Sequence, residues 1–446
     1  MNARKTRVAL GSLLLGSVLA LAGGCSAGPL PDGHYLLSLE SGSGAAPRIE
    51  TSFELTTEGA APNLRSHAVI HNGPERIEVP VVERTRRSVT LGFPHYDSEL
   101  TLRSVRPADE RAVAEGAWRI NRGASGVAEL PARAVPVGWV TGTRRPAIVA
   151  DRDAEQTVSG RWAIEFERSG PAVGVFEIDR YGAATGTVLT PTGDYRYLAG
   201  RYEPTLREWG PRDPIRDDDI VGKLELSTFD GAHAFAIVGD RRRDGRLAGV
   251  FISGSWWAEG WSARKDSTAA LPDAFAETIA SDPGALGGLI FRDTAGAERA
   301  VVDVLNEQGG TVRLVELFGT WCPNCADAAD ELVELRARYA DRGLTVLGVA
   351  FEATPDFDRS ARQVGVYQDR HGADWPVLIG GTRDKAEATR VFRVLDKVRS
   401  YPTILFLNER NEVVAVHTGF SGPATGEAYR SQRARFEEII EGILGG

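Results

Sequence analysis

The chain from Tyr35 to about Ala263 alternates apolar and polar residues in short runs. Examples are SFEL at 52–55, ELTL at 99–102 and WAIEF at 162–166. Glycine, proline, asparagine or aspartate separates these runs. A period of two residues is typical of strands with one buried face, and the separating residues favour hairpin turns. The pattern therefore predicts antiparallel β structure, and helical periodicity is almost absent from this region.

The same region contains signs of an internal duplication. The tripeptides YDS at 96–98 and FDG at 229–231 lie 133 residues apart, and this offset also relates GAW at 116–118 to GVF at 249–251. Each tripeptide of the second pair closes a strand pattern. Two copies of one folding unit explain this agreement better than two unrelated domains.

The domain boundaries follow from these copies. We predict two duplicated antiparallel β domains, each a small barrel or a sandwich, over residues 32–142 and 157–268. The dipeptides NG at 72–73 and TG at 192–193 both occupy turns in the middle of a copy. Residues 143–156, which include an Arg-Arg-Pro run, are predicted to be the linker.

After residue 271 the hydrophobic period changes, which predicts a third domain over 272–446. Buried strands alternate there with amphipathic helices, a pattern typical of an α/β fold with mixed strand pairing. The predicted strands cover 312–318, 344–351, 402–407 and 412–417, and the predicted helices cover 356–371, 383–395, 429–444 and the segment that follows residue 322.

The N-terminal residues resemble a targeting segment. Arg4, Lys5 and Arg7 precede an uncharged apolar stretch at 8–22, which is too short for a stable spanning helix and suits a secretory signal peptide. We predict a signal peptide over residues 1–24. The mature chain would then leave the cytoplasm for a compartment that permits disulfide chemistry.

The sequence AGGCS at 22–26 resembles the lipobox of bacterial lipoproteins, although Ala22 stands where leucine is commoner. This resemblance implies lipidation of Cys25, a tether over 25–31, and a lipid anchor on the periplasmic side of the cell envelope. Ser26 weakly favours the outer membrane. Ordinary signal cleavage nearby, which would leave Cys25 as a free thiol, is the alternative.

Composition and charge exclude several classes of protein. The chain has 42% hydrophobic and 25% charged residues, unlike a disordered or multi-span membrane protein. Its net charge of −9 and lack of a long basic stretch disfavour nucleic-acid binding. His67 and His71 would lie about 13 Å apart on one strand, too far to share a metal ion. We predict no metal site and no cofactor.

Cys322 and Cys325 carry the clearest chemistry, because the sequence WCPNC joins a predicted strand to a predicted helix. Unpaired amides and a partial positive charge at a helix start favour a thiolate. The spacing sets Cys325 one turn below Cys322, so we predict an exposed nucleophile at Cys322 and a shielded resolving thiol at Cys325. Zinc would need a second ligand pair, and a disulfide across so small a loop would constrain little.

WCPNC at 321–325, followed by YPT at 401–403, resembles the thioredoxin superfamily, and within it the TlpA/ResA-like envelope disulfide reductases. The extra strand and helix of those proteins would come from residues 356–395. The resemblance covers about residues 272–446. It implies a protein disulfide reductase that acts by thiol exchange, uses no cofactor and is re-reduced by a membrane electron donor.

The resemblance also implies roles for residues near the cysteines. Pro402 would be a cis proline facing the pair, and Tyr401, Thr403 and Trp321 would contact the substrate. A trans proline that opens an edge strand is the alternative for Pro402, and plain packing is the alternative for Trp321.

Glu316 lies in an apolar strand, where thioredoxins keep a buried acid under the resolving cysteine. Burial would raise its pKa and allow it to accept the proton of Cys325. A salt bridge with Arg313 is the alternative. The chain departs from the family at Ala328, where a glutamate is common, and Asp327 and Glu331 are the acids that could replace it.

Two other functions remain open at this point. A thiol peroxidase of the peroxiredoxin type shares the fold, but Gly319 and the residues before it lack the proline and hydroxyl residue of that site. A surface lipoprotein whose β repeats bind a ligand or partner, with an accessory redox domain, is the non-enzymatic alternative. The leading prediction is a thiol–disulfide oxidoreductase with a disulfide-containing protein as its substrate.

Overall fold

The computed structural model describes residues 30–42, 47–59, 65–85, 87–105, 114–137, 157–204 and 219–445. The predicted signal peptide, Cys25 and the linker at 143–156 lie outside the described residues. Within those ranges, none of the helices combines the length and apolar character that a bilayer crossing requires.

The first barrel forms because alternate residues of its strands point inward. On β2, the side chains of Ile49, Thr51, Phe53 and Leu55 are buried while those between them are not. Strand β8 pairs with β7 and also with β1, so the sheet closes on itself. The eight strands are β1 (Gly33–Glu40), β2 (Arg48–Glu58), β3 (Arg65–Asn72), β4 (Glu75–Arg84), β5 (Ser88–Phe93), β6 (Ser98–Ser104), β7 (Ala114–Asn121) and β8 (Val127–Pro136).

The second barrel has the same up-and-down order and one additional short strand. Its first strand pairs with its last, and β12 extends the turn between β11 and β13 without entering the closed ring. The strands are β9 (Gly160–Phe166), β10 (Gly170–Ile178), β11 (Ala183–Thr190), β12 (Gly193–Asp194), β13 (Leu198–Pro204), β14 (Ile220–Phe229), β15 (Ala234–Arg242), β16 (Leu247–Ser253) and β17 (Trp257–Lys265).

The two barrels correspond strand by strand, which confirms the predicted duplication and selects barrels over sandwiches. Asp97 lies between β5 and β6, and Asp230 lies between β14 and β15. Trp118 on β7 and Phe251 on β16 are both buried in their barrels. Trp256 of the second barrel packs against Trp118, with ring centroids 6.0 Å apart, so the barrels share an aromatic contact.

The C-terminal domain is a mixed sheet flanked by helices, as the change of period predicted. Strand order is β19-β18-β22-β21-β20-β23-β24, and β20, β21 and β22 run parallel. The strands are β18 (Ile290–Asp293), β19 (Glu298–Ala300), β20 (Val312–Phe318), β21 (Leu344–Glu352), β22 (Val377–Thr382), β23 (Thr403–Asn408) and β24 (Val413–Thr418). The helices are α1 (Val301–Gln308), α2 (Pro323–Tyr339), α3 (Phe357–His371), α4 (Lys385–Val391) and α5 (Glu427–Leu444).

This domain packs against both barrels on the side where β20 and β21 end. Gln363 on α3 donates a hydrogen bond to the carbonyl of Pro94 in the first barrel, at 3.0 Å. Arg383 donates to the carbonyl of Arg122, at 2.8 Å. The second barrel reaches the same side through the segment around β12, whose contacts are described below.

Candidate active site

The cysteine pair lies where β20 passes into α2. Cys322 is the N-cap residue of α2, and its sulfur accepts a hydrogen bond from the amide of Cys325, at 3.3 Å. Pro323 takes the first helical position, where a missing N–H costs nothing. Both side chains are free thiols. The helix start therefore offers an amide donor and a partial positive charge to a thiolate at Cys322.

One expectation about the pair is wrong. Cys325 is fully buried, as a resolving thiol should be, but Cys322 is only 5% exposed and is not an exposed nucleophile in this structure. The sequence of the C-terminal domain alone could not show this, because residues of the second barrel also lie beside the cysteine turn.

The segment that precedes β23 faces the cysteines. The Tyr401–Pro402 peptide bond is cis, and the thiol of Cys322 lies 3.5 Å from the carbonyl oxygen of Tyr401. The ring of Tyr401 meets that of Trp321 edge to face, with centroids 5.8 Å apart. Thr403 is fully buried, and its hydroxyl donates to the carbonyl of Ser400 at 2.9 Å. These residues surround the pair, and their contacts with a substrate stay a prediction.

The buried carboxylate of Glu352 holds the loop that precedes the cysteines. Glu352 at the end of β21 accepts hydrogen bonds from the amide and the hydroxyl of Thr320, at 3.0 and 2.8 Å. The indole N–H of Trp321 donates to the carbonyl of Phe351, at 2.9 Å. All three bonds tie the loop to the neighbouring parallel strand, which fixes the direction in which the chain enters α2.

Glu316 is fully buried on β20, and neither of its carboxylate oxygens has a hydrogen-bond partner among the described residues. Burial raises the pKa of Glu316 to about 8. Burial also raises the pKa of the Cys325 thiol, and the Cys322 sulfur and the charge of Glu316 raise it further. The strand thus places a carboxyl group with an unusually high proton affinity close to the resolving thiol.

The alternative for Glu316 is wrong. Arg313 does not pair with it, because its guanidinium donates to the side-chain oxygens of Asn306 and Asn411 at 2.9 and 2.5 Å. The physical reason lies in the strand geometry. Side chains three residues apart on a strand project from opposite faces, so Arg313 and Glu316 cannot meet.

Two residues near the cysteines were missed by the sequence analysis. Tyr367 on α3 is buried, and its hydroxyl donates to the carbonyl of Cys325 at 2.7 Å. Lys385 begins α4, where burial lowers the pKa of its ammonium and a negative charge on Cys322 acts to raise it. Both residues belong to helices with ordinary amphipathic patterns, which gave no signal of their place in the fold.

The acids that could replace a glutamate at Ala328 are both already paired. Glu331 accepts from the Tyr429 hydroxyl at 2.7 Å and pairs with Arg433 at 2.9 Å. Asp327 pairs with Arg196, a residue of the second barrel, at 2.9 Å. Asp327 therefore links the active-site helix to another domain.

Arg196 joins all three domains beside the cysteine pair. Its guanidinium lies 2.9 Å from Glu75 of the first barrel and 3.4 Å from Asp230 of the second. It also donates to the carbonyl of Pro323, between the two cysteines, at 3.2 Å. The Arg196 side chain, which is 13% exposed, thus has carboxylate partners in all three domains at this point.

One group of side chains outside this site could suggest a metal ion. The ligand atoms of His34, Glu54 and His71 lie within 4.8 Å of one another on the first barrel. However, the guanidinium of Arg76 lies 2.5 Å from Nδ1 of His71 and donates to it. The neutral ring then carries its proton on Nε2, so it has no lone pair to offer the group.

Comparison with known proteins supports the assignment of the C-terminal domain. No protein-family model matches the chain. Thioredoxin-like protein YneN of Bacillus subtilis is 29% identical over 115 residues, or 26% of this chain and 61% of that protein. Thiol-disulfide oxidoreductase ResA of Halalkalibacterium halodurans is 29% identical over 134 residues, or 27% of this chain and 68% of that protein. The match thus spans less than two thirds of the first relative's length.

Two solved structures each match a part of the chain. A thiol:disulfide interchange protein of the thioredoxin family from Chlorobium tepidum is 20% identical and covers 40% of this chain and 99% of its own, with a TM-score of 0.26. A secreted Mycobacterium tuberculosis disulfide oxidoreductase is 15% identical and covers 34% and 98%, with a TM-score of 0.25. Over the segment matched by the two relatives, the chain is TlpA/ResA-like, within the thioredoxin superfamily.

Proposed function

We propose that this protein is a thiol–disulfide oxidoreductase that reduces disulfide bonds of protein substrates through Cys322 and Cys325. One observation carries the proposal. The sulfur of Cys322 caps the start of α2 and accepts the amide N–H of Cys325, at 3.3 Å. A helix start stabilises a thiolate, which is the form that attacks a disulfide. The similarity to ResA and YneN supports the same class of activity.

The proposed reaction has two exchange steps. The thiolate of Cys322 attacks one sulfur of the substrate disulfide, so a mixed disulfide forms and the other substrate sulfur leaves as a thiolate. Cys325 then attacks the Cys322 sulfur and releases the second substrate thiol. Two electrons and two protons pass to the substrate, and Cys322 and Cys325 become joined by a disulfide. An external dithiol restores both thiols by the reverse exchange.

Within this reaction, Glu316 is proposed to take the proton of Cys325 as that thiol attacks. The support is its complete burial, its raised pKa and its influence on the pKa of Cys325. A carboxylate with a raised pKa is a stronger proton acceptor than an ordinary carboxylate, which lowers the cost in free energy of taking the proton from a buried thiol. Trp321, Tyr401 and Thr403 are proposed to border the bound substrate, and Pro402 to shape the backbone facing the pair.

The proposed location rests on the sequence of the first 31 residues. We place the protein on the periplasmic side of the cell envelope, with a lipid anchor at Cys25, the outer membrane weakly favoured, and a membrane electron donor. The domain bounds given above are proposed for the mature chain. Fractionation of cells that make the parent or Cys25→Ser tests the anchor, and an equal membrane content in both would contradict it.

The function is tested by the reduction of insulin disulfides with dithiothreitol as the dithiol. Cys322→Ser should abolish the catalysed reduction, and Cys325→Ser should accumulate a mixed disulfide with the substrate. Glu316→Gln should slow release from the mixed disulfide more than its formation. Glu334→Gln, an exposed acid on α2, is the matched control.

Full activity of Cys322→Ser would overturn the proposed function. Equal slowing of both steps in Glu316→Gln would remove its role as a proton acceptor and leave the cysteine chemistry intact. Peroxide consumption by the parent without any insulin reduction would favour the peroxidase alternative.

A further inference from the structure

Resting on the proposed function, we propose that residues 191–196 of the second barrel are a lid. We infer that this segment occupies the place of the substrate chain beside Cys322, so that a protein substrate must displace it. The lid includes β12 and ends at Arg196. The lid contacts the C-terminal domain at three places near the cysteine pair.

The first contact is with the segment that faces the cysteines. The hydroxyl of Ser400 donates to the carbonyl of Thr192 at 2.8 Å, immediately before Tyr401 and Pro402. The backbone of Gly419 approaches the same carbonyl so closely that a Cβ there would lie 2.9 Å from the carbonyl carbon of Thr192. The amide of Gly419 also donates to the carbonyl of Pro402 at 2.8 Å, so the lid backbone lies against the place where these two segments meet.

The second contact is with the cysteine turn itself. A Cβ on Gly193 would lie 2.8 Å from Cγ of Asn324, the residue before Cys325. The side-chain amide of Asn324 donates to the carbonyls of Asp194 and Phe420, at 3.4 and 3.3 Å. Asn324 thus bridges the lid to the loop after β24, directly beside the two cysteines.

The third contact fixes the far end of the lid. The carboxylate of Asp194 is 3% exposed and accepts the amide of Gly422 at 2.6 Å. It also accepts the amide of Arg196 at 2.6 Å, inside the lid. The loop after β24 therefore binds the lid through its backbone, as it could bind any chain that presents an oxygen at this position.

These three contacts cover the surfaces that a substrate needs. An attacking sulfur must approach a disulfide along the S–S axis, so the substrate chain on either side has to lie over the residues next to Cys322. Asn324, the segment at 400–402 and the loop at 419–422 border that space, and the lid fills it. This explains why Cys322 is only 5% exposed although it begins a helix at the end of a strand.

The lid is built to be displaced rather than permanent. Between Pro191 and Asp194, the contacts of the lid with the C-terminal domain are hydrogen bonds, each of which contributes modestly to stability. The ion pair of Arg196 with Asp327 holds the base of the lid and is kept when residues 191–194 move away. Thr192 at its tip is exposed, and no large apolar side chain lies between Pro191 and Arg196 except Tyr195, which packs inside the second barrel. A substrate strand can replace the same backbone hydrogen bonds, so binding and lid opening compete.

The test measures how fast a polymer-bearing maleimide alkylates Cys322 in the full chain. Gly193→Ala adds a Cβ against Asn324 at a φ of +147°, which disfavours the closed lid. We expect alkylation to rise by about tenfold, because backbone strain at such a residue shifts an equilibrium by roughly that factor. Gly73→Ala, at a φ of +61° in the equivalent turn of the first barrel, is the matched control and should keep the parent rate.

Ser400→Ala is a second variant, which loosens the lid from the other side without strain. It should raise alkylation by a smaller factor, and both variants should also speed insulin reduction. Parent alkylation rates in both lid variants, or an equal rise in Gly73→Ala, would overturn the lid. Faster alkylation without insulin reduction in any variant would keep the lid and remove the proposed function.

Discussion

The two barrels use the same hairpin for different purposes. In the first barrel, β3 and β4 are joined by the short turn Gly73-Pro74. In the second barrel, the corresponding strands β11 and β13 are joined by residues 191–197, which contain β12. Both turns dock on the next domain along the chain, but the first meets a barrel and the second meets the cysteine pair.

The chemistry of the two contacts differs as well. Beside the first turn, the amide of Asn72 donates to the carbonyl of Phe229 at 3.0 Å and accepts its N–H at 3.2 Å. At the end of the second turn, Arg196 pairs with carboxylates of three domains. Neutral hydrogen bonds of Asn72 join the two barrels at the first turn, whereas the ion pairs of Arg196 make the contact at the second turn depend on charge. Glu75 takes part in both, because it accepts from the Asn72 amide at 2.8 Å and pairs with Arg196. The longer turn is the one that lies beside the reactive sulfur.

The largest expected effect comes from removing the charge of Arg196, at the end of the turn of the second barrel. Arg196→Ala leaves the carboxylates of Glu75, Asp230 and Asp327 buried without their shared cation. It should lower the free energy of unfolding by about 3–5 kcal/mol, as measured by urea denaturation. Arg119→Ala is the control, since its pair with Glu129 is exposed and should contribute little to stability. Similar losses of unfolding free energy in Arg196→Ala and Arg119→Ala would contradict a special role of Arg196 in joining the domains.

The dependence of stability on pH should also distinguish the contact made by Arg196 from the contact made by Asn72. Although burial raises it, the charges of His233 and Arg196 hold the pKa of Asp230 at about 2. The folded state therefore gains stability from ionised Asp230 above pH about 4, and loses about 2 kcal/mol of it as the pH falls towards 2.

Asp230→Asn tests this sign by unfolding experiments across that range. The parent should be the more stable protein at neutral pH, and the difference should shrink as the pH falls from 4 to 2. A difference that stays constant with pH would show that the ionised form contributes nothing.

The smallest effect is expected at the neutral contact. Asn72→Ala leaves the buried amide and carbonyl of Phe229 without their partner, which should cost about 1 kcal/mol in urea denaturation. Alkylation of Cys322 should keep the parent rate, because this turn touches the second barrel and not the cysteine pair. Faster alkylation in Asn72→Ala would mean that the turn of the first barrel controls access to Cys322 as well, which would contradict separate roles for the two turns.

Local patterns predicted most of this fold. Alternation along segments such as 49–55 marked the strands, and the strand, WCPNC and helix order marked the cysteine turn. The sequence did not predict the features that depend on packing between residues distant in the chain. The lid proposed beside Cys322 consists of residues more than a hundred positions earlier, and Tyr367 reaches Cys325 from an ordinary amphipathic helix. Glu316 was found because a single acid in an apolar strand is a local signal.

The position of Arg196 also bears on how the chain is made. Synthesis runs from the N-terminus, so Glu75, Arg196 and Asp230 leave the ribosome before Asp327 does, and domains generally fold in that order. The two barrels can therefore bring Glu75, Arg196 and Asp230 together while the last domain is still being translated. The carboxylate of Asp327 then docks into a site that is already prepared, which orients the reactive turn from the moment its domain folds.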